Sequence, residues 1–359
     1  MTKMVIISEA WDEASARLRY PLVGASGVEL ARMLHQAGFP CENLPHNFAS
    51  AYRMMSYWDK FPHQIFNVFN ERPANGEIEN LYATPRDKTP INRDYGARRF
   101  ANVNHFVRAE YAHHIESLHI SLRSLKPNLI LALGNTALWA LGLEPAISKM
   151  RGNIVQSEFG KVLPTYHPAS IMRKWNNRTV MLFDLLKAKR ERESASINTL
   201  DREIWTEPTI EDLYTWWDQY GSQSDLIAVD IETLRNQQIS EIGFAANPQH
   251  ALHIPFVYKD RGGFTSWWPD TKTEAAAWDF VKMVCESDKP KIGQNVVQYD
   301  TYWLLHDLGI QVRNITHDTM TLAHSWQPEL EKSLGFLGSI FLDERSWKSI
   351  RTTVGKQND

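Results

Sequence analysis

The sequence predicts an α/β protein with two domains, and three observations support this prediction. Apolar runs of strand length alternate along the chain with helical hydrophobic patterns. The length of 359 residues fits about two domains of ordinary size. The formal charge is also divided, with a net of +8 over residues 1–192 and −11 over residues 193–359. The basic half is the better candidate for binding a polyanion, although charge can also drift between domains without meaning.

The composition argues against several classes of protein. The only two cysteines, Cys41 and Cys285, lie far apart, so neither a disulfide framework nor a zinc or iron–sulfur site built on cysteine is expected. No apolar run approaches the roughly 20 residues of a membrane span. The apolar run at the amino terminus is too short for a signal peptide and meets Glu9. We therefore expect a soluble, cytoplasmic protein without a membrane partner.

The first half of the chain is predicted to be an α/β domain. Its opening, a buried strand followed by a loop and a helix, is typical of an α/β domain, whose ligands bind after strand ends. Residues 45–95 show weak periodicity and predict one helix within long loops. The predicted elements are a strand at Lys3–Ile7, helices near Val28–Gly38 and Ala49–Trp58, a strand at Phe100–Phe106, a helix at Ala109–Leu125, a strand at Asn128–Gly134, a helix at Thr136–Leu141, short strands around Ile154 and Val162, and a helix from Ala169 to Lys174.

His167 is a candidate functional residue on local grounds. Pro168 fixes the backbone directly after it, and a helix begins there. This position would let the imidazole donate a hydrogen bond to an oxygen atom in a pocket. Taken alone, a structural histidine in a loop remains an open alternative.

Five short motifs follow one another along residues 1–192. They are Ser8-Glu9-Ala10, Tyr20-Pro21-Leu22-Val23-Gly24, Asn102-Val103, Ala132-Leu133-Gly134-Asn135 and Thr165-Tyr166-His167-Pro168. Their order resembles the uracil-DNA glycosylase superfamily, most of all its bacterial and archaeal family 4 branch. The resemblance implies a three-layer α/β/α fold that admits a base flipped out of DNA.

The resemblance also implies roles for individual residues. Glu9 and Asp12 would handle water, Asn102 would read the base edge, and His167 would stabilise negative charge on the base. Leu22 and Arg173 would contact the substrate.

The chain departs from that family at several positions. Leu22 stands where the family has an aromatic residue that stacks on the base. The acidic turn Ser8–Glu13 contains the bulky Trp11 where the family has a proline followed by a small residue. The four iron–sulfur cysteines of the branch are absent. Stacking on an aromatic residue contributes about 1–3 kcal/mol per base. We therefore expect a glycosylase-like domain that contacts DNA with weak or lost activity on uracil.

A polar stretch separates the halves and predicts a linker at residues 193–208, followed by a domain over residues 209–359. In that domain, Ile239–Ala245 and Ala251–Phe256 are expected to form an antiparallel meander with the strand that starts at Leu226. Further predicted elements are helices at Ile210–Tyr220 and Glu274–Cys285, a strand at Lys291–Asn295 and a helix at Asp300–Leu308.

The strand starting at Leu226 ends in Asp230 and Glu232, which point to the same side because side chains alternate along a strand. Two such acids repel each other unless a cation lies between them, which favours a divalent metal site. The alternative, a polar strand end that arose by chance, is equally compatible with these two residues. Asp300 supplies a third acid at a strand-to-helix junction.

The motifs Val229-Asp230-Ile231-Glu232-Thr233, Gly293-Gln294-Asn295 with Tyr299-Asp300, and His317-Asp318-Thr319-Met320 resemble the 3′–5′ exonuclease domain of family A DNA polymerases. The resemblance covers residues 209–345 and implies an RNase H-like fold. Asp230, Glu232 and Asp300 would ligate two Mg²⁺ or Mn²⁺ ions. Thr233 and Asn295 would contact the single-stranded 3′ end, or Asn295 would orient Asp300.

The fourth acid of that family, preceded by a tyrosine, has no counterpart after Asp318. We therefore expect the amino-terminal portion of a phage-like DNA polymerase, whose polymerase domain lies outside this chain and whose two-metal site is incomplete. The intact protein would remove 3′ nucleotides, and this chain would do so poorly. A repair glycosylase with an appended nuclease, and a non-catalytic module that binds DNA or docks a partner, are the alternatives.

Overall fold

The computed structural model describes residues 3–40, 51–92, 98–100, 103–144, 146–234, 238–260 and 263–343. The chain forms two compact units. The first comprises Met1–Asn198 together with Gly338–Asp359, and the second comprises Thr199–Leu337. No helix in the described ranges is long and apolar enough to cross a membrane.

The first unit alternates strands and helices over most of its length. Short 3-10 turns lie at Ala74–Gly76, Ile78–Leu81 and Ala109–Tyr111. The helices and strands are β1 (Met4–Ala10), α1 (Glu13–Leu18), α2 (Ala25–Gln36), α3 (Ala51–Lys60), β2 (Gln64–Phe69), β3 (Tyr82–Ala83), β4 (Arg98–Phe100), β5 (Val103–Val107), α4 (Ala112–Leu125), β6 (Leu129–Leu133), α5 (Gly134–Ala140), α6 (Ile147–Met150), β7 (Val155–Ser157), β8 (Gly160–Thr165), α7 (Pro168–Arg173) and α8 (Asn177–Glu191).

The main sheet of this unit has the strand order β2-β1-β6-β8-β7 within the described residues. The first four strands run parallel, and β7 is antiparallel to β8. Met4 and Ile6 pack into one apolar core with α2 and α8, whereas Val5 and Ile7 pack into another with α4 and α5. Both faces of the sheet are covered, which gives the predicted three-layer α/β/α fold.

One strand of this sheet was assigned wrongly from the sequence. The second strand along the chain in the main sheet is β2 at Gln64–Phe69, in a stretch expected to contain loops. The segment predicted as one strand at Phe100–Phe106 instead contributes to β4 and β5, which form a separate antiparallel sheet with β3. The polar residues Gln64 and Asn67 interrupt the apolar pattern of β2 and conceal it.

The second unit begins inside the predicted linker, because the short strand β9 lies there and pairs with β12. A π-helical turn at Trp217–Gly221 follows α9. The elements are β9 (Glu203–Trp205), α9 (Ile210–Trp216), β10 (Ile227–Thr233), β11 (Ile239–Ala245), β12 (His250–Pro255), β13 (Val257–Asp260), β14 (Gly263–Ser266), α10 (Thr271–Glu286), β15 (Lys291–Gly293), α11 (Asp300–Leu308), β16 (Ile315–Asp318), α12 (Thr319–Trp326) and α13 (Leu334–Phe341), whose last turn belongs to the first unit.

The sheet of the second unit has the order β16-β15-β10-β11-β12-β9 among the described strands. The predicted antiparallel meander β10-β11-β12 is confirmed, and β15 and β16 extend it in parallel beyond β10. This is the strand arrangement of an RNase H-like fold. Val229 and Ile231 of β10 pack into a core with Trp216 of α9 and Phe280 of α10. The alternate residues of β10 therefore face away from that core.

Two candidate active sites at strand ends

The first candidate site lies at the carboxyl ends of β1, β6 and β8, which are neighbouring parallel strands. After β1 the chain forms β2 on one side of it, and the next strand of the main sheet, β6, lies on the other side. Such a reversal of strand order opens a crevice at the strand ends, where α/β proteins bind ligands. Ser8, Glu9, Gly134 and His167 all lie at this edge.

His167 is held as a neutral hydrogen-bond donor. It is the N-cap of α7, and its Nδ1 accepts a hydrogen bond from the Ala169 N–H at 3.2 Å. An accepting Nδ1 leaves the proton on Nε2, which donates to Oγ of Ser8 at 3.0 Å. Burial lowers the pKa of His167; the Glu9 carboxylate opposes this effect and Arg173 adds to it.

Glu9 and Gly134 complete this edge of the sheet. The hydroxyl of Thr136 donates a hydrogen bond to the Glu9 carboxylate. Gly134 has a left-handed φ of +83°, and a methyl group there would lie 3.2 Å from Cβ of His167. The start of α5 therefore packs closely against the histidine, which explains why a glycine suits this position.

Asn67 is a functional candidate that sequence reasoning missed. It lies on β2 directly opposite Ser8 in the register, so the two side chains share one face of the sheet. It is 3% exposed, and neither its amide nitrogen nor its amide oxygen has a hydrogen-bond partner among the described residues. A buried amide without partners costs about 1–3 kcal/mol, unless a ligand satisfies it. The available signal was an asparagine within the apolar run Ile65–Phe69.

The structure also locates the other residues expected in the first site. Asp12 caps α1 by accepting from the Ser15 N–H at 2.8 Å. Leu22 is 5% exposed within the apolar core and has a left-handed φ of +54°, so its side chain is not displayed to solvent. Arg173 is exposed in the last turn of α7. Asn102, the predicted reader of the base edge, lies outside the described residues.

The second candidate site lies in the second unit, where β10 meets α11. Asp230 and Glu232 lie on β10, and Asp300 is the first residue of α11. Oδ1 of Asp300 accepts a hydrogen bond from the Ile231 N–H at 2.8 Å, and Ile231 separates the two acids of the strand. The structure therefore brings the third predicted acid to the strand that carries the first two.

Asp300 is 2% exposed. Burial raises its pKa to about 7; the Ile231 N–H opposes this effect, while the charges of Asp230 and Asp318 add to it. A carboxyl group in this position is stabilised as an anion only by a nearby positive charge or further donors.

Two contacts hold the loops around these acids. The hydroxyls of Thr233 and Tyr299 are 2.6 Å apart and join the end of β10 to the start of α11. Asn295 has a left-handed φ of +61°, and its N–H donates to Oδ1 of Asp318 at 3.2 Å. Asp318, which was not predicted as a site residue, also caps α12 by accepting from the Met320 N–H at 2.9 Å. Asn295 is thus tied through its backbone to Asp318.

The acids of the second unit suit a hard divalent cation by their chemistry. Asp230, Glu232 and Asp300 offer only oxygen ligands, which Mg²⁺ and Mn²⁺ prefer. A cation would also relieve the repulsion between Asp230 and Asp300. However, the described residues contain no group of three or more His, Cys, Asp or Glu side chains arranged to hold an ion. A two-metal site at these acids therefore stays a prediction.

Comparison with known sequences relates the first half of the chain to uracil-DNA glycosylases. The sequence model of the uracil DNA glycosylase superfamily matches residues 1–190. A Type-4 uracil-DNA glycosylase of Thermotoga maritima is 28% identical over 193 residues, which are 52% of this chain and 77% of the relative.

Two solved structures are similar to part of the chain. NrnC of Brucella melitensis gives a TM-score of 0.28 at 17% identity and covers 41% of this chain. The match spans 63% of NrnC, less than two thirds of its length. The EXD2 exonuclease domain, from a crystal soaked in Mg and GMP, gives a TM-score of 0.20 at 13% identity, covering 42% of this chain and 89% of that domain. At such low TM-scores, neither similarity indicates a function for this chain.

Proposed function

Because the chain belongs to the uracil DNA glycosylase superfamily, we propose that its first unit binds a base extruded from DNA at the crevice beside β1. The observation that carries this proposal is the amide of Asn67, which is buried opposite Ser8 and has no hydrogen-bond partner among the described residues. An amide can donate to one group and accept from another along the edge of a pyrimidine. Extrusion costs a few kcal/mol, which contacts inside a shaped pocket can offset.

The same crevice has the groups needed to break a glycosidic bond. As that bond breaks, its electron pair moves onto the base and negative charge develops on a base oxygen. The neutral His167 would turn its Nε2–H from Ser8 to that oxygen, since a donor positioned for a developing charge lowers the barrier. Glu9, oriented by Thr136, would hold the water that adds to the sugar and accept its proton.

We propose that uracil excision is slow. Leu22 lacks the aromatic face that would stack on the base, a loss of about 1–3 kcal/mol. The first unit would then act mainly by holding DNA.

For the second unit we propose a metal-dependent 3′–5′ exonuclease function, favoured by the contact of Asp300 with the strand that carries Asp230 and Glu232. These three carboxylates would hold Mg²⁺ or Mn²⁺, which when bound supplies activation of water and stabilisation of the leaving oxygen. Thr233 and Tyr299, hydrogen-bonded to each other beside the acids, would position the terminal nucleotide.

The resemblance of these motifs to family A polymerases leads us to propose a proofreading context, with single-stranded 3′ ends as substrate and a polymerase domain as partner. A repair glycosylase with an appended nuclease is the alternative in which the first unit supplies the main activity. In a third possibility, the basic first half only binds DNA, with an affinity that falls as salt rises.

One experiment separates these functions. The whole chain is incubated with a 5′-labelled single strand containing one uracil, in Mg²⁺ or in chelator. Shortening from the 3′ end only in Mg²⁺, lost in Asp230→Ala, supports the exonuclease. An alkali-labile abasic site formed in either condition, lost in His167→Ala, supports the glycosylase. Retention of intact DNA without either product rejects both chemistries and leaves a binding module.

A further inference from the structure

Three cations of the first unit, Arg151, Lys187 and Arg190, contact the end of the described chain, and we call the place between them the cationic cleft. Lys187 is 1% exposed, and its Nζ donates to the carbonyl oxygens of Gly152 at 2.7 Å, Ser339 at 2.5 Å and Leu342 at 2.6 Å. A buried ammonium needs such acceptors to offset its loss of water. Two of these acceptors come from the far end of the described chain.

Residues 338–343, which we call the return segment, fill this cleft. Arg151 donates to Oγ of Ser339 at 2.8 Å, and Ser339 is 3% exposed. Arg190 binds both carboxylate oxygens of Asp343, at 2.9 and 2.7 Å. The segment includes the end of α13, where carbonyl groups lack helical partners and the helix dipole attracts cations. The cleft and the segment are therefore complementary in both charge and hydrogen bonding.

Gly152 shows how closely the segment approaches the cleft. It has a left-handed φ of +73°, and a methyl group there would lie 2.9 Å from the carbonyl oxygen of Ser339. It would also lie 2.7 Å from Oδ1 of Asp184. A side chain at this position would displace the segment, so the close approach requires glycine.

The cleft is connected to the strand that carries His167. Asp184 accepts hydrogen bonds from the Arg151 guanidinium and from the hydroxyl of Thr165, the latter at 2.7 Å. Thr165 is the last residue of β8, two positions before His167. The Gly152 N–H also donates to the carbonyl oxygen of Pro164 at 2.9 Å. A continuous set of contacts thus runs from Ser339 to the end of β8.

We propose that the return segment is an intramolecular ligand of the first unit that positions the end of β8 and thereby His167. Docking of the segment is independent of the activity proposed above, and only the importance of His167 rests on that proposed function. A chain segment that follows the second unit would in this way control the geometry of the base site.

Charge reversal of the Arg190–Asp343 pair tests the proposal without replacing the buried groups. In the whole chain, Arg190→Glu or Asp343→Lys alone should loosen the segment, and the double variant should restore it. We expect amide hydrogen exchange of residues 339–343 and 160–167 to accelerate at least tenfold in each single variant. The NMR chemical shifts of the His167 ring nitrogens should change in each single variant and return to their original values in the double variant. Lys189→Glu, on an exposed residue of the same helix, is the matched control.

Two results would overturn the proposal. Unprotected amides in the return segment of the unaltered chain would show that the segment is not bound. Faster exchange in the segment with unchanged exchange and ring shifts at residues 160–167 would show that the segment is bound but does not position His167. Both results can be read without any DNA substrate, so they are independent of whether the chain excises uracil.

Discussion

Oγ of Ser8 lies 3.0 Å from Nε2 of His167, although 159 positions separate the two residues in the chain. This contact joins the end of the first strand to the start of α7. The Ala169 N–H donates to Nδ1 of His167, so the proton of the neutral imidazole lies on Nε2, which faces Ser8. The opposing position on β2 is filled by Asn67, so the hydroxyl, imidazole and amide lie at one edge of the sheet.

Replacing Asn67 distinguishes a ligand-binding amide from a structural one. Because the amide is buried and has no hydrogen-bond partner in the part of the chain that the structure describes, Asn67→Leu should leave the free energy of unfolding unchanged or raise it by about 1 kcal/mol. The same variant should bind uracil-containing DNA at least about tenfold more weakly, since the base edge loses its partner. Urea unfolding and fluorescence anisotropy measure the two effects. Asn70→Leu, an exposed residue one position after β2, should change neither. A large loss of stability in Asn67→Leu would argue for a structural role.

Restoring an aromatic ring at position 22 should strengthen base binding. Leu22→Phe is expected to improve affinity for a uracil-containing strand by roughly 5- to 150-fold, which corresponds to the stacking of one base. The larger ring should also destabilise the fold by about 1–3 kcal/mol, because Leu22 is packed in the core. Leu30→Phe, at another buried core position, is the control and should show only the loss of stability. Equal affinity of Leu22→Phe and the unaltered chain would remove Leu22 from the base site.

The sequence predicted those elements in which chemistry and periodicity agree. β1, β6 and β10 are such elements, because each has an apolar run of strand length. Asp230 and Glu232 follow the apolar run of β10, and the structure contains all three strands. Asn67 was missed because it interrupts the apolar pattern of its own strand, and a polar residue at such a position looks like a loop residue in the sequence. The return segment could not be predicted either, since the contacts of Lys187 with Ser339 and Leu342 join positions more than 150 residues apart.

Replacing Asp230 should have opposite effects with and without metal. In chelator, Asp230→Asn removes a charge that acts on the buried Asp300, so the Tm should stay the same or rise slightly. In Mg²⁺ at about 100 times its Kd, the unaltered chain should gain about 2.7 kcal/mol that the variant lacks. Thermal unfolding in both conditions measures the difference. Asp225→Asn, exposed in the loop before β10, should behave like the unaltered chain. An equal response of Asp230→Asn to Mg²⁺ would exclude this residue as a ligand.

Acid should destabilise the first unit through His63. Burial, aided by the charge of Arg192, lowers the pKa of this imidazole from 6.5 to about 4. Below pH 6.5 the unfolded chain binds a proton that the folded chain does not, so stability falls as pH falls from 6.5 to about 4. Between pH 7.5 and 5 this loss amounts to about 2 kcal/mol.

His63→Gln should remove that part of the pH dependence, because glutamine does not titrate and its amide oxygen can still accept from Arg192, which donates to Nε2 of His63 at 2.7 Å. Urea unfolding at pH 7.5 and 5 gives the comparison. Burial also lowers the pKa of His114 and His167, and both remain in the variant, so the difference between the two proteins isolates His63. His35→Gln, at an exposed position in α2, should keep the full acid sensitivity. Identical pH dependence of His63→Gln and the unaltered chain would mean that His63 is protonated in the folded state as readily as in the unfolded one.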